Sequence, residues 1–363
     1  MSNFNIADYA LKTLCPGNEM LYDNKHFPSV TVMVPKMTWA NLGVGTSTDI
    51  FPAWIVDGKE VDCLYFSKYG NVASNDCAYS LPQSAPTGEV TADEAFELSA
   101  NKGVGWHSAT RLEYAALALI TLLLGKMPLG NNNNGKDVTE SAYDATAATY
   151  DENGNILKVT GGSGPLSWSH DRAITGVWDL NGNTREWNSG IRLVNGELQV
   201  ISNDRGTFGN DAADADNSQG ESSALWLAID GTTGKLIIPN GEGTTKNSVK
   251  ADWQNSRWIW VTDELTSQEN KARKCRFVDI DVDASVSPAA ARLLQALALY
   301  PISNINIALD DAVTLNNGGG EMFFTSGGSY ESGADAGVFC TDAVSTREDK
   351  SEDIGFRSTY CDF

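Results

Sequence analysis

Alternating hydrophobic and polar residues near the start of the chain predict β-strands. The runs SVTVMVPKMTW, from Ser29, and AWIVDGKEVDCLYFSKY, from Ala53, follow the two-residue period of a strand with one buried face. The second run is interrupted by Asp57-Gly58, a pair that favours a two-residue hairpin turn. We therefore expect residues 1–85 to form a β-rich segment.

Three later segments change to the helical period, and each begins with a capping signal. Thr91 precedes Glu94 by three residues in TADEAFELSANKG, and Thr110 precedes Glu113 in the same way in TRLEYAALALITLLLG, so both segments predict a helix that begins with a capping box. In SPAAARLLQALALY, Ser287 precedes a proline at the first helical position. The second helix is apolar on most sides, which indicates that it is buried.

The remaining sequence is rich in loops. GNNNNGKD and GGSGPLSWS are loops by composition, and strand-like runs are broken at Asn181-Gly182 and Asn195-Gly196. Residues 203–223 form a polar, acidic insert.

Ten tryptophans accompany this sparse regular pattern. Large rings fill cores that short strands alone do not close. We therefore expect Trp178, Trp187 and Phe356 to be buried in one core with the helix that Thr110 caps.

Composition and charge limit the classes of function. The 363 residues include 41% hydrophobic side chains, enough for a sizeable core, and carry a formal net charge of −21. This charge repels a phosphate backbone, which argues against a nucleic-acid ligand. The most apolar run, at residues 114–125, is about half the ~20 residues that a membrane-spanning helix needs. The start, MSNFNIADYA, lacks a basic stretch followed by an apolar core, so we expect no secretory signal and synthesis in the cytoplasm.

Residue types that carry catalysis or bind metals are present but dispersed. The six cysteines form no CxxC pair and predict free thiols. The SHD sequence at residues 169–171 is too local for a catalytic relay, whose side chains converge from different parts of a fold. We expect no cofactor. One alternative is a calcium site in the acidic insert, where Asp211, Asp214 and Asp216 offer hard oxygen ligands; the other reading is a solvated acidic loop.

Four segments, in order, resemble a known fold. KGVGWHSATRLEYAALAL, GVWDLNGNTREW, GGSY and IGFR, spread over residues 102–358, are similar to motifs of the formylglycine-generating enzyme group. The resemblance implies an α+β, C-type-lectin-like fold of the formylglycine-generating-enzyme type, with short strands, a few helices and long loops. It also implies that residues 86–363 form this domain and that residues 1–85 pack on it.

The C-terminal residues 327–363 resemble more closely the variable proteins of diversity-generating retroelements. GGSY at residues 327–330, AGVF at residues 336–339 and GFRS at residues 355–358 are similar to the closing motifs of that family. In the family, an error-prone reverse transcriptase rewrites codons between these motifs. The resemblance therefore implies that the motifs are scaffold and that the polar residues between them are diversified.

The resemblance assigns ligand binding to a run between residues 330 and 353. The assigned positions are Tyr330, Glu331, Asp335, Cys340, Thr341, Asp342, Val344, Ser345, Glu348, Asp349, Ser351 and Asp353. We expect the diversified side chains, Tyr330 and Thr341 among them, to be exposed on one contiguous face, because a close-packed core does not tolerate many residue types.

Four residues of this run depart from the family's pattern. In the family, mutagenesis acts chiefly at Asn codons of the AAY type, which do not yield Glu or Lys. Glu331, Glu348, Lys350 and Glu352 are therefore either fixed or encoded by other adenine-containing codons.

These observations together favour a binding protein over an enzyme. The resemblance implies a phage or prophage receptor-binding protein at the tail or fibre tip of the virion, with a bacterial surface protein or glycan as partner; its oligomeric state is left open. Two alternatives remain: an enzyme of the formylglycine-generating or sulfatase-modifying group, and a bacterial surface or effector protein with the same variable site. The enzymes use two cysteines close in sequence, whereas Cys340 and Cys361 are 21 residues apart.

Overall fold

The computed structural model describes residues 3–204, 206–303 and 310–363, and in these ranges the protein is a mixed α/β structure that is mostly sheet. Thr91 and Thr110 begin two helices with the predicted capping boxes, and Ser287 caps a third, so these predictions are confirmed. A further helix at the start of the chain was not predicted. The described helices are α1 (Asn3–Leu14), α2 (Ala92–Ala100), α3 (Arg111–Leu124) and α4 (Pro288–Ala296).

Short strands account for most of the regular structure. In chain order, the strands of the described ranges are β1 (Asn18–Tyr22), β2 (Pro28–Pro35), β3 (Ile55–Val56), β4 (Lys59–Glu60), β5 (Cys63–Ser67), β6 (Val72–Ser74), β7 (Cys77–Tyr79), β8 (Trp106–Ser108), β9 (Arg185–Val194), β10 (Glu197–Ile201), β11 (Trp226–Ile229), β12 (Leu236–Ile237), β13 (Lys250–Gln254), β14 (Arg257–Val261), β15 (Arg273–Arg276), β16 (Asp281–Val282), β17 (Ala312–Leu315), β18 (Glu321–Gly327), β19 (Gly337–Ser345), β20 (Ile354–Phe356) and β21 (Ser358–Tyr360).

The first sheet joins the two ends of the sequence. Its strand order is β1-β2-β5-β21-β8, so β21, near the C-terminus, lies between two strands from the first third of the chain. Thr359 of β21 pairs with Phe66 on one side and with His107 on the other. Residues 1–85 therefore share a sheet with the C-terminal residues, while a domain boundary near residue 85 stays a prediction.

The second sheet carries the C-terminal run. Its main path is β15-β17-β19-β18-β9-β10-β13-β14-β16, with β11, β12 and β20 attached beside it. β19 pairs in parallel with β17 and antiparallel with β18. β9 and β10 form a hairpin at Asn195-Gly196, whose φ angles of 48° and 89° are those of the predicted turn. Asp57-Gly58 joins β3 and β4 in the same way, with φ angles of 49° and 73°.

The large aromatic rings are buried in separate clusters. Trp187 and Phe356 are buried against the start of α2, whereas Trp178 packs with Trp168, and α3 belongs to the largest cluster. The expectation of one shared core is therefore wrong. The indole N–H of Trp187 donates to the Val90 carbonyl at 2.9 Å, which holds the ring beside α2. No helix of the described ranges is long and apolar enough to cross a membrane.

Candidate ligand-binding site

β19 places the C-terminal run in the middle of the second sheet. Val313 of β17 lies beside Thr341, and Thr325 of β18 lies beside Asp342. Because side chains alternate between the two faces of a strand, half of β19 points towards the core and half points away from it. Successive residues of β19 therefore alternate between the core and the opposite face of the sheet. The polar composition of the C-terminal run did not indicate this alternation.

The inward face of β19 belongs to the core. Phe339 stacks on Phe277 with ring centroids 4.6 Å apart, and Ala343 is fully buried. Thr341 has an exposed fraction of 0%, and its Oγ1 accepts a hydrogen bond from Nη2 of the buried Arg111 at 3.0 Å. The expectation that Thr341 is exposed is therefore wrong, because its hydroxyl satisfies a buried guanidinium.

The outward face of β19 lines an open cavity of about 380 Å³. Cys340, Asp342 and Val344 contribute from β19, and Glu331 and Asp335 contribute from the loop before it. These five positions are all among those assigned to ligand binding. The other lining residues are Arg185, Lys274, Ala312, Thr314, Ser329 and Ser332.

Two basic side chains hold the carboxylates around this cavity. Arg185 donates to Asp342 at 3.2 Å and to Asp353 at 2.5 Å, and Lys274 donates to Asp335 at 2.5 Å. Burial raises the pKa of Asp342, against the effect of Arg185. Burial also acts to raise the pKa of Asp353, but the charge of Arg185 and hydrogen bonds lower it overall. Asp353 does not line the cavity, yet it is joined to it through Arg185.

Tyr330 lies at the base of the run and is 5% exposed. Its backbone N–H donates to the Asn183 carbonyl at 3.3 Å, and its carbonyl accepts from the Asn134 N–H at 2.8 Å. Burial raises the pKa of its phenol to about 12. The expectation that Tyr330 is exposed is therefore wrong.

The remaining assigned positions do not line the cavity: Ser345 ends β19, and Glu348, Asp349 and Ser351 lie in the loop after it. Glu348 and Asp349 are exposed, and Ser345 and Ser351 are half-buried. This loop is fastened by Arg347, which no sequence signal identified. Its guanidinium is buried, and its bonds reach α2, the acidic insert and β18, through Asp93 Oδ1, the Gln219 carbonyl and Glu321.

Residues remote in sequence complete the site. Arg185 begins β9 and Lys274 lies on β15, while Thr314 and Ala312 lie on β17 beside β19. Arg185 belongs to the segment GVWDLNGNTREW, which was not assigned to ligand binding from the sequence, and Lys274 belongs to a stretch without any recognisable motif. The pairing of β17 with β15 and β19 brings Lys274, Ala312 and Thr314 to the cavity, and the pairing of β9 with β18 and β20 brings Arg185 there.

The described residues of the acidic insert, 203–204 and 206–223, do not bring three or more candidate metal ligands together. Asp211 accepts hydrogen bonds from the Asp57 N–H, the Ser202 hydroxyl and the Asn203 N–H, so protein donors already occupy its carboxylate. Asp214 accepts from the backbone of Asp216. In the described part of the chain, no group of three or more His, Cys, Asp or Glu side chains is placed to hold a metal ion.

The other candidate chemistry is local. His170 Nδ1 accepts from the Val177 N–H at 2.8 Å, and Ser169 donates to its neighbour Asp171 at 3.1 Å, so the SHD residues close a turn. All six cysteines are free thiols, as predicted. A larger cavity of about 600 Å³ lies among residues 243–268, and none of the assigned positions lines it.

The chain is distantly similar to two solved structures, described below. No protein-family model matches the chain, and no curated protein matches it. Among solved structures, the chain is similar to a Major Tropism Determinant U1 variant, with 10% identity and a TM-score of 0.29, over 92% of this chain and 63% of that one. It is also similar to PvdO from Pseudomonas aeruginosa, with 13% identity and a TM-score of 0.30, over 95% of this chain and 98% of that one. The chain thus spans less than two thirds of the length of the first structure.

Proposed function

We propose that the protein is a ligand-binding display scaffold whose exchangeable positions line the cavity beside β19. The supporting observation is the division of that strand. Cys340, Asp342 and Val344 face the cavity with Glu331 and Asp335, while the alternate residues belong to the core. Side chains on the cavity face change the ligand surface without changing the packing that holds the strand.

The sequence motifs around the run act as a fixed frame. Gly337 begins β19, and a Cβ atom there would lie 2.2 Å from Asp311 Oδ2, so any other residue would have to displace that buried carboxylate. Gly327 and Gly328 have φ angles of 92° and 74°, which other residues rarely adopt. Arg357 forms a buried ion pair with Glu186. These contacts support a fixed border on either side of the proposed exchangeable positions.

The proposal includes the finer identity that the sequence motifs imply. We assign the chain to the variable proteins of diversity-generating retroelements, with a C-type-lectin-like fold of the formylglycine-generating-enzyme type. Its role is that of a phage or prophage receptor-binding protein at the virion tail or fibre tip, and its partner is a bacterial surface protein or glycan. The proposed role involves neither catalysis nor a cofactor.

The thiol environment supports binding over the formylglycine-generating alternative. Burial raises the pKa of Cys340 and of Cys361 above the ordinary range of a thiol. A thiolate is the form that binds metal and attacks, so both side chains are poor candidates for copper chemistry. Replacing Cys361, which is fully buried and does not line the cavity, by serine should leave binding unchanged, and copper bound at one ion per chain would instead favour the enzyme.

Two matched libraries test the proposal. The first randomises Glu331, Asp335, Asp342 and Val344 on the cavity face, and the second randomises Phe339, Thr341 and Ala343 on the core face. Melting temperature and binding to a panel of bacterial cell surfaces are measured for both. We expect most members of the first library to stay folded and to differ in the cell surfaces they bind. We expect most members of the second library to unfold, because a change of even one methylene group destabilises a close-packed core.

The opposite outcome rejects the scaffold. If cavity-face variants unfold as often as core-face variants, or if they all keep one binding profile, the cavity is not a display site. The retroelement is tested separately by the neighbouring DNA, where a near copy of the segment for residues 320–363 should differ at adenines and lie beside a reverse transcriptase gene.

A further inference from the structure

The cavity of about 600 Å³ among residues 243–268 lies apart from the C-terminal run, where β13 pairs with β14. Its volume is within the roughly 300–1,000 Å³ found for small-ligand sites. One wall belongs to the segment 243–250, which leads into β13, and the other to the segment 262–268, which follows β14. The lining is mostly polar and contains no aromatic ring.

A buried lysine without a counter-ion forms part of this wall. Lys250 is 5% exposed, and its Nζ donates to the Ser248 carbonyl at 3.1 Å and to the Thr262 carbonyl at 2.9 Å. An ammonium group has three donors, so the third N–H has no acceptor among the residues that the structure describes. Lys250 forms no ion pair with a described residue either, and burial lowers its pKa, against the charges of Glu197 and Asp263. A buried cation is favourable only with an anion beside it, and none of the described residues supplies one.

The carboxylate opposite Lys250 is engaged elsewhere. Glu197 pairs with Lys250 between β10 and β13 and is 0% exposed. Its carboxylate accepts from the Thr245 N–H at 2.9 Å, the Ser248 hydroxyl at 2.6 Å and Gln199 Nε2 at 2.9 Å. Two of these bonds hold the segment 245–248, so the wall that carries Lys250 is fixed by the fold itself.

The exposed charges of the lining have both signs. Lys246 lies on the same wall as Lys250, and Asp263 and Glu264 lie on the other wall. None of these three exposed side chains forms an ion pair or hydrogen bond with another described residue. The lysines offer donors to an anion, and the carboxylates offer acceptors to O–H or N–H groups. A phosphate monoester carries nearly two negative charges, which the two carboxylates would repel, whereas a carboxylate carries one.

We propose that this cavity is a second binding site, for a small carboxylate that also carries O–H or N–H donors. The ligand carboxylate binds Lys250 and Lys246, and its donors bind Asp263 and Glu264. Acidic sugars and amino acids both have this chemistry. None of the positions assigned to ligand binding lines the cavity, so the site goes beyond the display function and stays constant while the display positions vary.

Ligand-observed NMR titrations of the full-length protein with four probes test this site. D-glucuronate and L-serine carry both a carboxylate and donors, D-glucose lacks the carboxylate, and cyclohexanecarboxylate keeps the carboxylate on a ring without hydroxyl groups. We expect D-glucuronate, L-serine or both to bind at least about tenfold more tightly than the other two probes. D-glucose loses the charge-assisted contacts with the lysines, and cyclohexanecarboxylate leaves the carboxylates of the opposite wall without donors. Preference for D-glucuronate or for L-serine then identifies the donors as O–H or N–H groups.

Three variants locate the binding. Lys250→Met replaces the buried cation by an apolar side chain and should weaken binding of the preferred probe at least about tenfold. Lys246→Met changes only an exposed residue of the same wall, so it tests the site without disturbing the core, and should weaken binding about threefold. Lys235→Met removes an exposed lysine that does not line the cavity and should change the affinity less than about twofold. Melting temperatures check that all variants are folded.

Other outcomes overturn this inference. Failure of both D-glucuronate and L-serine to bind rejects the site, and equal binding of D-glucose and D-glucuronate excludes a contact with the carboxylate. Equal losses for Lys246→Met and Lys235→Met would mean that the probe senses only net charge. The libraries that test the display function change other residues, so new specificities from the cavity-face library together with any of these results would reject the second site alone.

Discussion

At the scale of single residues, buried polar side chains determine which positions of the C-terminal run are framework. Arg111 is 2% exposed, and although burial lowers its pKa to about 10, it stays charged at neutral pH. The N–H donors of its planar, rigid guanidinium point in several directions, so they need acceptors from several elements of the fold. These acceptors are the Leu297 and Ala298 carbonyls, Asn188 Oδ1, Ser326 Oγ and Thr341 Oγ1.

Asp179 is a buried residue at which pH acts on the fold. Its Oδ2 has no hydrogen-bond partner among the residues that the structure describes, and its φ is 63°. Burial raises its pKa from 3.8 to about 7, against the charge of Arg357 and with that of Glu186. Between about pH 4 and pH 7 the folded state therefore keeps a proton that the unfolded state has released, so this carboxyl makes the protein less stable as the pH rises.

We expect Asp179→Asn to remove this dependence, because asparagine also adopts the left-handed conformation. Relative to the variant, the wild type should lose up to about 1.4 kcal/mol of unfolding free energy per pH unit between about pH 4 and pH 7. Urea denaturation at several pH values measures the difference, with the exposed Asp144→Asn as control. A difference between wild type and Asp179→Asn that does not change with pH would show that Asp179 is ionised throughout.

At the scale of elements, β19 is at once a core strand and a wall of the cavity. Thr341 and Val344 have nearly the same shape and lie on opposite faces of it. Thr341→Val replaces a hydroxyl by a methyl group on the core face, and Val344→Thr replaces a methyl by a hydroxyl group on the cavity face. The two substitutions therefore test the two faces with changes of the same size.

Thr341→Val should cost about 1–3 kcal/mol of unfolding free energy, because a buried N–H of Arg111 loses an acceptor. Val344→Thr should stay within about ±0.5 kcal/mol, as for an ordinary surface change. Urea denaturation of both variants gives the comparison. Equal costs at the two positions would mean that β19 has no exchangeable face.

Helices α2, α3 and α4 could be predicted because their signals are local, whereas α1 was not predicted. The capping residues of α2, α3 and α4 lie within three positions of the groups they bond. The cavity could be predicted only in part. Six of its lining residues lie in one run, and five of these are among the assigned positions, whereas Arg185 and Lys274 reach the cavity through strand pairings between distant segments. The polarity of Thr341 did not reveal that it faces inward. Its hydroxyl is buried because it accepts a hydrogen bond from the guanidinium of Arg111, which lies 230 residues earlier in the chain.

At the scale of the whole molecule, Arg357 connects the two sheets immediately after the exchangeable run. Its guanidinium donates to both oxygens of Glu186 on β9, at 2.9 and 2.6 Å. It also donates to the Ser67 carbonyl on β5 at 2.6 Å and to the Trp178 carbonyl at 2.8 Å. The residues that follow it enter the first sheet as β21. One buried side chain thus holds the far border of the display site to both halves of the fold.

Removing this side chain should therefore destabilise the whole protein and not only the site. Arg357→Met leaves Glu186 buried without a counter-ion and should lower the free energy of unfolding by about 3–5 kcal/mol. The double variant Arg357→Met with Glu186→Leu should recover part of that loss, since no isolated charge remains, although the two carbonyls still lack their donor. Arg276→Met, which breaks exposed ion pairs with Asp279 and Asp310, should leave unfolding close to that of the wild type. Chemical denaturation of the four proteins measures these differences, and a loss for Arg357→Met no larger than that for Arg276→Met would show that the border of the site is held by strand pairing alone.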